Sequence, residues 1–442
     1  MNMYNNQDLI VALDIGTTKV VAAAGIMNEI GLIEILGYGK VKSDGVKRGV
    51  VANIDKTAKA ISDAIDMAEK RAKHEFQSVY VGIAGQHIKS VHHMGQKLRD
   101  SPEKEISRDE IELLINDMYK LALAPGDKII HVVPQEYRID GEEGILEPIG
   151  MCGSKLEGNF HVITGKVSAA NNILRCIKKA GLEAKEMVLE PIGSASAVLS
   201  EEELKGGVVM VDIGGGTSDV TIFHEGIIRH TAVIPLGGNI ITEDIKEGCS
   251  VMTEQAEKLK VKFGRALAEE IVDNRIITIP GLKGRPPREI SELNLARIIQ
   301  ARMEEILDYV IWEIRRSGYE TKLLAGMVLT GGGALLKDIV SLVEYHTGLS
   351  TRIGTPNEHL AHHRDGELKS PIYATSIGIL RYALSQQQKN EWKKELVTTE
   401  ATNENGESNE ENRENNKPLG KIVNRGFKLI KEFFEASPDS EL

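Results

Sequence analysis

Three times along this chain a short apolar run stops at a glycine turn. Val208-Val209-Met210-Val211 leads into Asp212-Ile213-Gly214-Gly215-Gly216-Thr217-Ser218-Asp219, and Ile10-Val11-Ala12-Leu13 leads into Asp14-Ile15-Gly16-Thr17-Thr18-Lys19. Short aliphatic runs bounded by glycine predict buried strands. Apolar stretches resume after both turns, at 20–25 and 220–223, so each copy predicts a strand–turn–strand hairpin. The third turn, Thr330-Gly331-Gly332-Gly333-Ala334, follows a strand-like run over 326–329. Repetition of the first two predicts two related halves closing on one ligand.

Between the hairpins, strand and helix rhythms alternate. Residues 30–41 predict a strand and 44–49 a turn, and Asn53 opens a helix to about residue 73 with Ile61, Ile65 and Ala68 on its core face. Residues 77–83 predict strand again. Over 86–165 the character changes. An exposed strand spans 88–98, the capping box Ser107-Arg108-Asp109-Glu110 opens a helix to residue 121, and strands follow over 129–139 and 160–164. This predicts a compact insert of one or two helices on a small sheet, with an interaction role. His92 and His93 read as surface, because no third ligand stands near them. Residues 169–180 predict a helix and 186–189 a strand. Glu190-Pro191-Ile192-Gly193-Ser194-Ala195 then opens a helix of small residues. Such residues either permit the close helix approach of a hinge between halves or pack a tight corner. Glu190 stands at that corner, placed to face the cleft.

In the second half, Ile234-Pro235-Leu236-Gly237-Gly238 adds a glycine pair able to approach a ligand. A helix over 253–263 puts Glu257 and Lys260 three apart on one face, either as ribose and adenine contacts or as a solvated ion pair. Residues 284–290 read as a stiff basic loop with Arg285 and Arg288 before a long helix over 292–316. Helices over 336–346 and 371–384 close the folded region; His359, His362 and His363 read as loop surface. From 386 to 416, Asn, Glu, Ser and Thr dominate, predicting a disordered, mostly acidic linker. Beyond it, Leu419, Ile422, Val423, Phe427, Leu429, Ile430, Phe433 and Phe434 fall on one side of a helical wheel, with Lys421, Arg425 and Lys428 on the other. A basic amphipathic helix on a tether predicts binding to anionic membrane lipids, ahead of capture in a partner's groove.

Composition narrows the classes. At 442 residues the chain exceeds what one core serves, so two or more domains are expected. A net charge of −11 with no strongly basic domain argues against nucleic acid as the main partner. Cys152, Cys176 and Cys249 form no C-x-x-C pair, which excludes a zinc ribbon and a disulfide framework and predicts a reducing cytoplasm. Residues 1–8 lack the apolar region of a signal peptide, and no window reaches the roughly 20 apolar residues of a spanning helix, so any membrane contact is peripheral. The turns carry the chemistry. Glycine lets main-chain amides approach a phosphate, and an aspartate beside a phosphate requires a divalent cation between them.

Two Asp-Gly hairpins, a connecting small-residue helix and a third glycine turn resemble the actin / Hsp70 / sugar-kinase superfamily. Within it the chain is similar to the FtsA family of bacterial cell-division proteins. Carrying that resemblance are Leu13 to Lys19, Gly49-Val50-Val51-Ala52-Asn53-Ile54-Asp55-Lys56-Thr57, Leu189-Glu190-Pro191, Asp212 to Asp219, Ala256-Glu257-Lys258-Leu259-Lys260 and Gly284-Arg285-Pro286-Pro287-Arg288. It implies an α/β, actin-like two-lobed ATPase fold with an inserted subdomain, a disordered linker and a C-terminal amphipathic helix. The implied divisions are 8–85 with 166–205 (subdomain 1A), 86–165 (1C), 206–240 with 320–385 (2A), 241–319 (2B), the linker 386–416 and the helix 417–435.

The resemblance further implies ATP and Mg²⁺ as cofactors. Asp14 and Asp212 would hold the metal. Main chain at Gly16, Thr17, Thr18, Gly214, Gly215, Gly216 and Thr217 would cradle phosphates, with Lys19 close by. Glu190 would orient the attacking water, with at most slow hydrolysis. Glu257 and Lys260 would face ribose and adenine, with Gly331, Gly332 and Gly333 opposite. Implied partners are further copies in filaments, the C-terminal peptide of FtsZ through Arg285 and Arg288, later division proteins, and the cytoplasmic face of the cell membrane at the septum. A sugar or small-molecule kinase shares both hairpins but has no use for a basic membrane helix. An Hsp70-like chaperone would need a β-rich domain after residue 385, where the sequence turns polar.

Overall fold

The computed structural model describes residues 9–280, 286–361 and 366–403. In the first half β1 (Ile10–Ile15), β2 (Lys19–Met27) and β3 (Ile33–Lys42) form an antiparallel meander, followed by a small hairpin of β4 (Val46–Lys47) and β5 (Val50–Val51). Helix α1 (Ile54–Ala72) crosses back to β6 (Ser78–Ile83), which lies parallel to β1. The chain then leaves for an insert of β7 (Lys89–Leu98), α2 (Arg108–Met118), β8 (Asp127–Ile139), β9 (Glu142–Ile145) and β10 (Lys155–Lys166), whose four strands form an antiparallel sheet in the order β7-β10-β8-β9. It returns through α3 (Val167–Lys179) to β11 (Glu183–Leu189), completing the order β11-β6-β1-β2-β3.

Helices α4 (Glu190–Val198) and α5 (Glu201–Gly206) lead into the other half. Here β12 (Val208–Ile213), β13 (Ser218–His224) and β14 (Ile227–Ile234) repeat the meander. After α6 (Gly238–Gly248), α7 (Thr253–Phe263), the β15 (Ile276–Ile279) and β16 (Arg288–Ser291) pair, and the long α8 (Glu292–Ser317), β17 (Met327–Thr330) pairs parallel with β12. Next come α9 (Ile339–Thr347), β18 (Thr351–Ile353) and α10 (Ala374–Asn403). The order β14-β13-β12-β17-β18 matches that of the first sheet, strand for strand. Two lobes of one design result, and in each the meander's first turn follows an aspartate.

The elements follow from their residues. Asn53 caps α1 by accepting from the Lys56 amide, and Ile61, Ile65 and Ala68 are buried on its inner face. Burial of each isoleucine stabilises by about 1.5–3 kcal/mol. Gly37 and Gly39 of β3 admit this helix, since a side chain at Gly39 would overlap the Ala64 carbonyl. In the second lobe Val209, Val211 and Ile213 pack with Leu295, Ile299, Met303 and Ile306 of α8. Capping at Ser107 and Glu110 starts α2 as its sequence predicts. The lobes meet where α4 crosses α10. Gly193 and Gly378 make that crossing possible, because a side chain at Gly378 would overlap the Gly193 carbonyl. This is the close helix approach that the small residues of 190–197 permit.

Four expectations change. The run over 386–403 is helical, continuing α10, rather than disordered. It is rich in Gln, Lys and Glu and holds neither Gly nor Pro, so nothing in it stops the preceding helix. Arg288 begins a strand, β16, where a loop is expected: Arg288-Glu289-Ile290-Ser291 pairs with 276–279, every residue of which is β-branched. The strand β9 arises at the Asp140-Gly141 turn, where both residues hold positive φ. The helix expected over 336–346 runs instead from Ile339 to Thr347, a short 3₁₀ turn preceding it. Arg285, His362, His363, the linker over 404–416 and the amphipathic residues 417–435 lie outside the described residues. Among the described residues, no helix is long and apolar enough to cross a membrane.

The inserted sheet buries one face, Phe160, Val162 and Leu156, against α2. Across from it stands β14 of the second lobe. Ser90 Oγ donates to the Thr231 carbonyl at 2.8 Å, Gln135 Nε2 to the Ile228 carbonyl at 2.8 Å, and Arg229 Nη1 to the Gln135 carbonyl at 3.2 Å. The insert therefore hangs from the first lobe and touches the second.

Candidate functional site

The two hairpin turns are built alike and meet face to face. Gly16 N–H donates to the Lys19 carbonyl and Gly214 N–H to the Thr217 carbonyl, each at 2.9 Å. Gly215 rests against the Thr18 side chain and Gly216 against Thr17; a Cβ at either glycine would collide with these threonines. The main-chain amides of Thr17, Thr18, Gly215 and Gly216 donate to no protein acceptor among the described residues. Free amides in glycine turns are the equipment of an anion cradle.

Four carboxylates converge on these turns. Asp14 ends β1, is 3% exposed and stands 3.7 Å from Lys19 Nζ. Burial raises its pKa, and Lys19 pulls it back. Asp212 ends β12 and is raised by burial too, against the pull of Lys19 and of two hydroxyls, Ser194 and Thr375. Asp219 pairs directly with Asp212 across β12 and β13. It is 7% exposed, its Oδ1 has no hydrogen-bond partner among the described residues, and burial together with Asp212 pushes its pKa up to about 8. Glu190, at the start of α4, packs against Gly82 of β6, where a Cβ would crowd it. Burial first, then Asp14, Asp219 and Asp212, hold its carboxyl well above the usual range, against Lys19.

Four acids around one amine cannot all ionise without further positive charge. A divalent cation supplies that charge, and carboxylate oxygens are its preferred ligands. The orphaned Oδ1 of Asp219 and the free amides fit the same requirement. The residues therefore suit a Mg²⁺-nucleotide, with the carboxylates toward the metal and the turns toward phosphate.

The remaining site residues from the sequence lie around this centre in different ways. The Gly237 backbone packs on the Gly214 and Thr217 carbonyls. Gly238 and Asn239 N–H donate to the Gly214 and Gly215 carbonyls at 2.9 and 2.7 Å, so this glycine pair braces the second turn. Lys260 Nζ donates to the Gly238 carbonyl at 2.7 Å and pairs with Glu257 at 2.8 Å, while Thr242 donates to Glu257. The i,i+3 ion pair is formed, with Glu257 47% exposed and Lys260 13% exposed, and its lysine also contacts the glycine pair. Gly331, with φ +80°, lies against Asp212 Oδ1; Gly333 packs on Ile213; Gly332 faces open space. Arg288 is remote from the centre and donates to the Cys249 carbonyl at 3.3 Å.

Sequence reasoning assigned no role to Asp219, Ser194, Thr375 or the Arg48-Gly49 turn. Gly49 N–H donates to Thr17 Oγ1 at 3.1 Å, and Gly216 approaches Arg48 Cα. Asp219 was within reach: a hairpin closed between Ile213 and Ser218 must pair residues 212 and 219. Ser194 and Thr375 come from two helices far apart in sequence, and no local pattern marks them.

Comparison with known proteins agrees with this geometry. Residues 209–378 match the family described as "Cell division protein FtsA", and residues 85–164 match "SHS2 domain inserted in FTSA". The cell division protein FtsA of Pseudomonas aeruginosa is 41% identical over 380 residues, covering 86% of this chain and 90% of that protein. Among solved structures, the type IV pilus biogenesis complex PilM-PilN superposes with a TM-score of 0.62 at 16% identity, over 85% of this chain and 98% of that one. MreB 5 of Spiroplasma citri bound to AMPPNP superposes at 0.52 and 16% identity, over 88% and 99%. The shared fold is the actin-like one.

Proposed function

This chain belongs to the FtsA family of cell division proteins, and on that premise we propose that it binds Mg²⁺-ATP between its lobes and assembles on the cytoplasmic face of the membrane at the division septum. There it would form filaments, tether FtsZ and recruit later division proteins. The observation that carries the nucleotide reading is the convergence of Asp14, Asp212, Asp219 and Glu190 on facing turns with free amides. Bound Mg²⁺ would neutralise the carboxylates and draw charge from the phosphates. Asp14 and Asp212 hold the metal. Thr17, Thr18, Gly215 and Gly216 orient the phosphate oxygens through their amides. Lys19, beside Asp14, balances phosphate charge. Glu190 is placed to orient a water at the corner of α4, and Glu257 and Lys260 border the ribose side with Gly331 to Gly333 opposite.

Both turns contribute to one ligand, so nucleotide favours the closed arrangement of lobes. That closed form is the one expected to polymerise. For the FtsZ peptide, Arg288 on β16 is proposed as a contact. Val272 and Ile276, 94% and 56% exposed, add apolar surface to the same region, with Ile276 opposite Ser291 at the far end of the hairpin from Arg288, which pairs with Ile279. An acidic peptide with apolar side chains suits that surface; Arg285 is proposed with it. Membrane attachment is assigned to the helix over 417–435, through Leu419, Ile422, Val423, Phe427, Ile430, Phe433 and Phe434, with Lys421, Arg425 and Lys428 toward anionic headgroups.

Calorimetry tests the nucleotide site. ATP with Mg²⁺ should bind the wild type, and Asp212→Ala should lose the metal-dependent part of that affinity. Full affinity in the variant would refute the metal role.

A further inference from the structure

Asp212 is held by side chains from outside its own sheet. Its Oδ2 accepts from Ser194 Oγ at 3.0 Å and from Thr375 Oγ1 at 3.2 Å, and the two hydroxyls stand 3.1 Å apart. Ser194 lies in α4 and is 1% exposed; Thr375 lies in the first turn of α10 and is 8% exposed. The other oxygen, Oδ1, accepts no hydrogen bond among the described residues. Each hydroxyl carries one hydrogen. Two hydrogens thus serve three contacts: both point at Oδ2, or one hydroxyl donates to the other and the second donates to Oδ2. Either way one oxygen is engaged and the carboxylate cannot turn freely.

Packing does not require these hydroxyls. Ser194 is flanked by Gly193 and the buried Ala195, and an alanine would fill its place in a helix of small residues. A buried hydroxyl is tolerated where it has a partner, and here both partners converge on one carboxylate.

We propose that Ser194 and Thr375 are positioning residues for the cation, holding Asp212 Oδ2 so that Oδ1 is the oxygen left to the metal. The assignment rests on the Mg²⁺-nucleotide reading above. It also ties the metal site to the α4–α10 crossing, because each helix contributes one of the two donors.

The test uses the full chain and ATP, with affinity measured in EDTA and across a Mg²⁺ series. In Ser194→Ala/Thr375→Val, the Mg²⁺ concentration giving half the metal-dependent gain should rise at least about tenfold, as losses of such outer partners do. Metal-free affinity should stay that of the wild type. Thr375→Ser, which keeps the hydroxyl, should behave as wild type. An unchanged Mg²⁺ midpoint in the double variant overturns the assignment, as does an equal loss with and without metal, which would mean packing alone. Should the double variant not fold, Thr375→Val and Thr375→Ser decide: equal Mg²⁺ midpoints overturn it. A wild type without Mg²⁺-dependent ATP binding would overturn the nucleotide reading itself, and this assignment with it.

Discussion

Gly331 and Gly332 stand side by side in the third turn, yet their backbones face opposite demands. Gly331 holds φ +80° and leaves no room between its α-carbon and Asp212 Oδ1, whereas Gly332 opens to free space. An alanine at this positive φ, with ψ near 180°, costs of order 1–3 kcal/mol before any overlap is counted. At Gly331 it would also displace the carboxylate proposed to hold the metal. Gly331→Ala should therefore melt earlier and lose Mg²⁺-dependent ATP binding, while Gly332→Ala keeps the wild-type melting temperature. Equal behaviour of the two variants, by thermal melting and calorimetry, would contradict this placement. The same logic covers the carboxylates. Each is ordinary alone, and it is mutual proximity under burial that makes them hungry for a cation.

At the scale of elements, the contact between the insert and β14 is polar and includes histidines. His161 of β10 is fully buried, with neither ring nitrogen hydrogen-bonded. Burial, then His92, His230 and His131, lower its pKa to about 3. In the unfolded chain a histidine titrates near 6.5. The folded form stays neutral while the unfolded form takes up a proton, so stability is fully present above about 6.5 and falls toward pH 3. The slope is about 1.4 kcal/mol per pH unit in that window. Replacing the ring with an apolar one removes this linkage. From pH 7 to pH 5 the stability of His161→Phe relative to wild type should improve by about 2 kcal/mol in urea denaturation. A pH-independent difference would mean that His161 is protonated alike in both states.

The whole molecule joins these parts through a few continuous elements. The strand β14 receives the insert at Ile228 to Thr231 and then runs through Ile234-Pro235-Leu236 into the Gly237–Gly238 brace of the second turn. The small β4–β5 hairpin does the same for the first lobe, since its Gly49 holds Thr17 and abuts Gly85 at the entry to the insert. Helix α10 begins at Asp212 and extends to Asn403, toward the tail. These connections are all described within residues 17–403, and membrane attachment is assigned to residues 418–442. Deleting them should leave the melting temperature and Mg²⁺-ATP affinity unchanged while the protein no longer pellets with anionic liposomes. Undiminished pelleting would place the lipid contact elsewhere in the chain.

Local steric rules made much of this protein legible in its sequence. An aspartate followed by glycine and hydroxyls after an apolar run specifies a buried strand and a tight turn wherever it occurs, and two copies imply two lobes. The small residues around Gly193 were likewise visible locally, whereas their partner Gly378 emerged only from the helix crossing. Helix ends were less secure: α10 outran its expected end because ordinary polar helix formers continue a helix as readily as they form a linker. What only tertiary structure decided is convergence. Ser194, Asp212 and Thr375 are up to 181 residues apart in the chain and meet because α4 and α10 cross above the end of β12. Lys260 reaches Gly238 rather than solvent because α7 packs beside α6. Such meetings depend on the packing of whole elements, whose contacts are non-local, and no window of sequence contains them.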